Sequence, residues 1–381
     1  MQISTKEDFM TTSITASQAA QLAEQDAARQ NLIGALANEA ADASAFADYQ
    51  ADKPANTLRR QAGDLAVFAR FLSLLKFYTL DAEQDADAQH KARAARLMHE
   101  PTAWGNITYG IVSGFVKWQL QEGYAVGSVN VRLATVKRYA KLAYTAGALD
   151  GEQAAKIATV TGFAYGKRAK VDENRAADGV QTRRGEKKAA AVELTKAQRR
   201  QLKTAHPKTA QGRRDALLMC LLLDHGLRCS EIAALEVAAF SFERGRQATF
   251  TFYRQKVRMW QSHELTRDSY KAASDYFDNG DAPAVGKLLC ASRKGGELDQ
   301  SGKGMSERAI TKRVEYLGRQ IIGVSGLSAH DGRHSAATEV ARQKDVTLNR
   351  MVEMFGWNSP AMALQYIAKA QIANEGVDFN D

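Results

Sequence analysis

The sequence predicts a mainly α-helical protein of two domains, with one small β-hairpin set into the second. Three observations carry this. Apolar residues recur at helical spacing through residues 55–160 and through most of 194–372. One pair of segments, 247–253 and 260–265, alternates in strand fashion around a short turn. Between the helical stretches lies a polar, basic segment, 166–193, without periodicity, which reads as a linker. At 381 residues the chain is long enough for two separate cores.

Residues 1–54 are rich in Ala, Gln and Asp, and Ser17 to Asn38 suits a helix. They hold eight acidic residues against three basic ones, a net charge of −5. A partly helical or flexible arm is expected here, with the wrong charge to touch a polyanion. The whole chain carries +9, so the remainder carries +14, which suits a polyanionic partner or simply a solvated basic surface.

Within 55–165, Thr57 to Tyr78 shows Leu65, Phe68, Ala69, Leu72 and Leu75 on one helical face, and Ile107 to Leu120 forms a second helix. Ser128 reads as the N-cap of a third, Val129 to Ala146, stopped by Gly147. That helix sets Arg132, Lys137, Arg138 and Lys141 among Leu133, Val136, Tyr139 and Leu142. Such a basic face is either wet or pressed against phosphates. The linker adds Lys167, Arg168, Arg183 and Arg184, cations that can follow a phosphate backbone or merely be solvated.

In 194–372, Thr195 caps a helix over 196–204, and Arg213 to Leu223 is strongly apolar. After the hairpin, helices are expected at 268–277, 306–320, 333–343, 347–355 and 359–369, with an acidic tail over 373–381. There is no internal repeat. No apolar run reaches the length of a membrane span, and Met1 to Met10 lacks a secretory pattern. Cys220, Cys229 and Cys290 lack metal-ligand spacing and fit reduced thiols, so the cytoplasm is the expected compartment. Neither a metal nor a cofactor is expected.

The chemistry lies in the order of the last third. Arg228 comes first, in Leu227-Arg228-Cys229-Ser230-Glu231. His330-Asp331-Gly332-Arg333-His334 follows at the opening of a helix, then Phe355-Gly356-Trp357, then Tyr366. Cutting a phosphodiester without metal needs a nucleophile, neutralisation of the non-bridging oxygens, a base, and an acid for the leaving oxygen. Arginine suits the second task, because its planar fork grips two oxygens and keeps its charge. A tyrosine hydroxyl can attack once its proton is taken. Lysine or histidine can serve as acid and base. Taken singly, an arginine turn, a histidine at a helix start and a tyrosine on a helix are commonplace.

Together these segments resemble the tyrosine recombinase (phage integrase) family. Leu223 to Leu235 is similar to its first arginine motif, His330 to Thr338 to its His-x-x-Arg motif, and Phe355 to Ser359 with Gln365-Tyr366 to its closing motif. The likeness spans 194–372. Residues 55–160 are similar to the family's helical core-binding domain only in size, helicity and position.

The resemblance implies that Tyr366 is the nucleophile, forming a 3′-phosphotyrosyl link, that Arg228 and Arg333 clamp the scissile phosphate, and that His330 takes the tyrosine proton. Trp357 would donate its indole N–H or pack near the phosphate, and Glu231 would orient the site. The hairpin lysine of the family would be Lys256, with Lys287 and Lys294 as weaker rivals. Gly332 departs from the pattern, standing where leucine is common; there it should lose packing.

The implied fold is a helical core-binding domain with a mixed α/β catalytic domain. The implied partner is double-stranded DNA with a specific target site, held as a homotetramer in the synapse, with or without accessory proteins. Strand exchange would run through a Holliday junction. Two alternatives are a type IB topoisomerase and a non-catalytic DNA-binding protein of the same fold.

Overall fold

The protein is described here by a computed structural model, which describes residues 16–182, 191–243, 246–293, 295–343 and 345–370. The chain separates into two compact units, residues 1–187 and 188–381. Arg183, Arg184, Lys294 and the tail 373–381 lie outside the described residues.

The first unit is all helical among its described residues: α1 (Ala16–Ala51), α2 (Ala55–Leu74), α3 (Ala86–His99), α4 (Tyr109–Gln121), α5 (Val126–Thr145), α6 (Gly151–Thr159) and α7 (Arg168–Ala177). Its core is aromatic. Phe68 meets Phe115 edge-on at 4.9 Å and stacks on Trp104, which stacks in turn on Tyr139. Of the acidic arm, Ala16–Ala51 form a single helix. Its C-terminal end joins this core through buried Phe46 and through Tyr49, whose hydroxyl accepts a hydrogen bond from Gln61 Nε2 at 2.6 Å. Residues 20–41 of α1 are exposed throughout.

Two expectations are corrected here. Helix α5 starts at Val126 with Ala125 at its cap, not after Ser128. Val126 and Val129 are both buried, and burying that pair requires the earlier start. Ser128 instead gives its backbone N–H to the Ala125 carbonyl within the first turn. The expected linker also holds a helix, α7. Its sequence is too polar to show a stripe, and Arg175 supplies its anchor, donating from Nη2 to the Tyr124 carbonyl at 2.6 Å.

The second unit comprises α8 (Lys196–Thr204), α9 (Ala210–Leu223), α10 (Cys229–Ala234), β1 (Phe240–Ser241), β2 (Thr249–Arg254), β3 (Met259–Glu264), α11 (Arg267–Asp278), α12 (Glu307–Ile322), α13 (Ala329–Ala341), α14 (Leu348–Phe355) and α15 (Pro360–Ala370). Helix α9 is its centre: Leu217 through Leu223 are all buried. A helix apolar all round must be surrounded, and α8, α11 and α13 pack on it.

The hairpin strands β2 and β3 pair antiparallel, with Phe252 opposite Gln261. The two-residue β1 adds a third strand, too short to show alternation in the sequence. Helix α13 begins four residues before the expected Arg333. Ser328 accepts from the Asp331 N–H, and Asp331 accepts back from the Ser328 N–H, a reciprocal cap that sets the start.

The structure also corrects the expectation for Gly332. A Cβ there would stand 3.2 Å from Leu222 Cβ, so α13 crosses α9 where only glycine fits easily. The residue permits packing there instead of losing it.

Candidate active site

An α-helix ends with carbonyls that have no partner of their own and carry the negative end of its dipole. Helix α14 ends this way, turning at Gly356 with φ +53°. Three arginines collect there. Arg254 Nη2 donates to the Met354 carbonyl at 2.5 Å. Arg333 Nη2 donates to the Phe355 carbonyl, and its Nη1 to the Gly226 carbonyl at 2.6 Å. Arg228 Nη2 reaches the Gly356 carbonyl at 3.4 Å.

Both turns that accept these bonds need glycine. Gly226 has φ +60°, and Gly356 is so close to Arg254 Cδ that a Cβ would collide with it.

One carboxylate ties the cluster together. Glu231, buried in the first turn of α10, accepts from the Arg228 N–H at 2.8 Å and from Arg228 Nη1 at 2.7 Å. It also accepts from Arg254 Nη1 at 2.9 Å. Three guanidiniums against one carboxylate leave net positive charge in a largely dry place. Burial and the neighbouring Arg228 hold the Arg333 guanidinium down to about 9, and burial lowers Arg254 while Glu231 opposes it. The arginines differ in access: the side chain of Arg228 is 24% exposed, against 5% for Arg333 and 0% for Arg254.

Tyr366, on α15, is 9% exposed. Its ring stacks on Trp357 at 5.4 Å, and Trp357 stacks on Phe355 at 4.9 Å. The hydroxyl shares a short hydrogen bond with His334 Nδ1; the resemblance placed the base at His330. His330 stands edge-on to His334, ring centres 4.4 Å apart. Burial raises the Tyr366 phenol above its usual range, and the Arg333 charge pulls the other way. The arginine cluster and the tyrosine are therefore electrostatic neighbours.

Residues 193–372 match the family described as the phage integrase family. This unit belongs to the phage integrase family. Its members are the tyrosine recombinases, and the resemblance read from the motifs is shown by this match. No curated protein matches the chain. Solved structures similar to it include the XerA recombinase (14% identity, TM-score 0.39, covering 83% of this chain and 95% of that one). Others are the Tn1549 transposon integrase in complex with circular intermediate DNA (12%, 0.49, 84% and 99%) and the lambda integrase bound to DNA (12%, 0.46, 83% and 99%).

The other candidate residues stand as follows. Lys256 sits on the exposed turn between β2 and β3 and shares no hydrogen bond with the arginines. Lys287 is tied to the Ala234 carbonyl and to Glu236.

Of the basic face on α5, three members make contacts within the unit, Arg138 by lying 5.6 Å over the Tyr49 ring. Arg132 lies 4.2 Å over the Tyr124 ring and donates to Gln119. Lys137 donates to the Ala158 and Val160 carbonyls, closing the end of α6. Arg138 and Lys141 are exposed, as is Lys167; the side chain of Arg168 lies outside the described residues.

Two site residues escape a reading of the sequence. Arg254 is legible in principle: it continues the inward alternation of Phe250 and Phe252 along β2, and an arginine on an inner face must have a partner. His334 gives no signal, since its bond is to a residue on another helix.

Proposed function

We propose that this protein is a site-specific recombinase that cleaves and rejoins duplex DNA through a 3′-phosphotyrosyl link on Tyr366, without a metal ion. The observation that carries this is the gathering of Arg228, Arg254 and Arg333 at the end of α14, beside a tyrosine whose hydroxyl is held by a histidine. Arg228 and Arg333 would grip the non-bridging oxygens of the scissile phosphate. In such a site, each donor is worth roughly 3 kcal/mol in the transition state. Tyr366 attacks phosphorus, and the 5′-oxygen leaves with a proton from Lys256 on the hairpin turn. Glu231 and Arg254 hold the arginines in place. The link stores the bond energy, so rejoining needs no nucleotide.

Binding is assigned to exposed cations of the first unit, with Arg138, Lys141 and Lys167 on phosphates. Exchange between two duplexes proceeds through a Holliday junction in a tetramer. Deleting residues 373–381 should then lower synapsis more than binding to a single site.

Covalent capture tests the reading. Wild-type protein and Tyr366→Phe are mixed, in EDTA, with labelled duplexes tiled across the DNA flanking the gene, and run on denaturing gels. A tyrosine-dependent adduct is expected. Tight binding with no adduct on any tile refutes the chemistry at those sites and favours a non-catalytic DNA-binding protein. Relaxation of supercoils without strand exchange between two duplexes would identify a topoisomerase of the IB kind.

A further inference from the structure

We infer that His334 is the catalytic base that receives the Tyr366 proton. The inference rests on the reading that Tyr366 is the nucleophile. It assigns the proton to a residue one position beyond the arginine of the His-x-x-Arg motif.

The geometry is direct. Within the second unit, His334 Nδ1 is the hydrogen-bond partner of the Tyr366 hydroxyl. In the tautomer with the lone pair on Nδ1 and the hydrogen on Nε2, the phenol donates to Nδ1, and this is the form assigned to His334. The Trp357 stack limits how far the Tyr366 ring can tilt away from His334. His330, one helical turn earlier, shares the α13 face and meets His334 ring edge to ring face. Burial keeps the phenol protonated at neutral pH, so the proton must leave as the new bond forms.

The step balances as follows. The tyrosine Oη–P bond forms and the P–O5′ bond breaks. The phenol proton passes to His334 Nδ1, giving imidazolium. The leaving 5′-oxygen takes a proton from the acid, for which Lys256 is the candidate. Rejoining runs the same transfers backward, and His334 returns its proton to the phenolate.

The experiment measures single-turnover adduct formation on the duplex found by covalent capture. His334→Gln keeps an oxygen that accepts the phenol hydrogen bond but cannot take the proton. Duplex affinity should be unchanged and the adduct rate should fall about 10²- to 10⁴-fold, the usual contribution of a general base. On a duplex with sulfur replacing the bridging 5′-oxygen, the leaving thiolate needs no proton. There Lys256→Ala should recover its rate and His334→Gln should not. In His334→Ala, added imidazole should restore adduct, a rescue that a merely structural role would not give.

Wild-type rates in His334→Gln, with Tyr366→Phe inactive, would overturn the inference and leave the proposed function standing. So would loss of activity in His334→Ala with no imidazole rescue. Adduct formation by Tyr366→Phe would overturn both.

Discussion

Arg254→Met removes a buried charge of similar length and leaves Glu231 held by Arg228 alone. The side chains of Arg254 and Glu231 are 0% and 2% exposed, so almost no water can replace the missing ion pair. Breaking a buried pair by removing one partner costs roughly 3–5 kcal/mol. Two neutral acceptors, the Met354 carbonyl and Gln261, are also left without their donor. Glu231 keeps its two bonds from Arg228, and methionine refills part of the space. The lower end, about 3 kcal/mol, is therefore expected. With a urea slope of ~2 kcal/mol per molar, the midpoint of the second unit should fall by about 1.5 M.

The assay is urea unfolding of the full chain, followed by fluorescence of the tryptophans. Trp104 and Trp118 lie in the first unit, whose transition should not move; Trp260 and Trp357 lie in the second. The Arg254→Met/Glu231→Gln pair should be less destabilised than the sum of its single variants, by at least about 1 kcal/mol, because each single change strands the other group. Adduct formation should fall too, since Glu231 is no longer braced by Arg254 as it holds Arg228. A midpoint shift below about 0.3 M, or additive variants, would refute the claim that this pair organises the site.

Other outcomes follow from single side chains. Gly226→Ala puts a Cβ into the left-handed region and 2.5 Å from Phe355 Cε1; strain and overpacking together should cost about 2–4 kcal/mol, read as a lower thermal midpoint. Burial pushes the His225 imidazole down to about 4. Its unfolded form takes a proton first as pH drops, so stability is full above about pH 6.5 and falls as pH drops towards 4. The loss at the lower end is about 3 kcal/mol, and a His225→Phe variant should show a correspondingly flatter dependence in urea melts from about pH 7 to 4.5. Arg138→Ala with Lys141→Ala should weaken duplex binding and lower the salt slope by ~0.9 for each phosphate no longer neutralised. Lys137→Ala should instead destabilise the first unit, because its ammonium closes α6.

Much of the candidate site can be read from residue order alone. Arg228, Arg333, Trp357 and Tyr366 are marked by motifs, and the structure brings them to one place. The sequence is a poorer guide wherever a residue's job depends on its neighbours. Lys137 and Arg132 carry the charge expected of phosphate binders and also make hydrogen bonds within their own unit, which spacing does not reveal. Gly332 reads as a loss of packing and is a close crossing. The polar helix α7 shows no stripe, because a single buried arginine anchors it.

What the sequence by itself determined is the helical, two-domain plan, the hairpin and the ordered set of reactive residue types. Those follow from spacing along the chain, which is a local property. What only the tertiary structure decided is which groups meet. Arg228 and Gly356 are 128 positions apart, Arg333 and Gly226 107, and Tyr366 and His334 32. The end of α14 is where they converge, because its unpaired carbonyls attract cations from three other elements at once. Sequence spacing cannot express that convergence: it depends on how the helices and the hairpin pack around a helix whose end is otherwise unsatisfied.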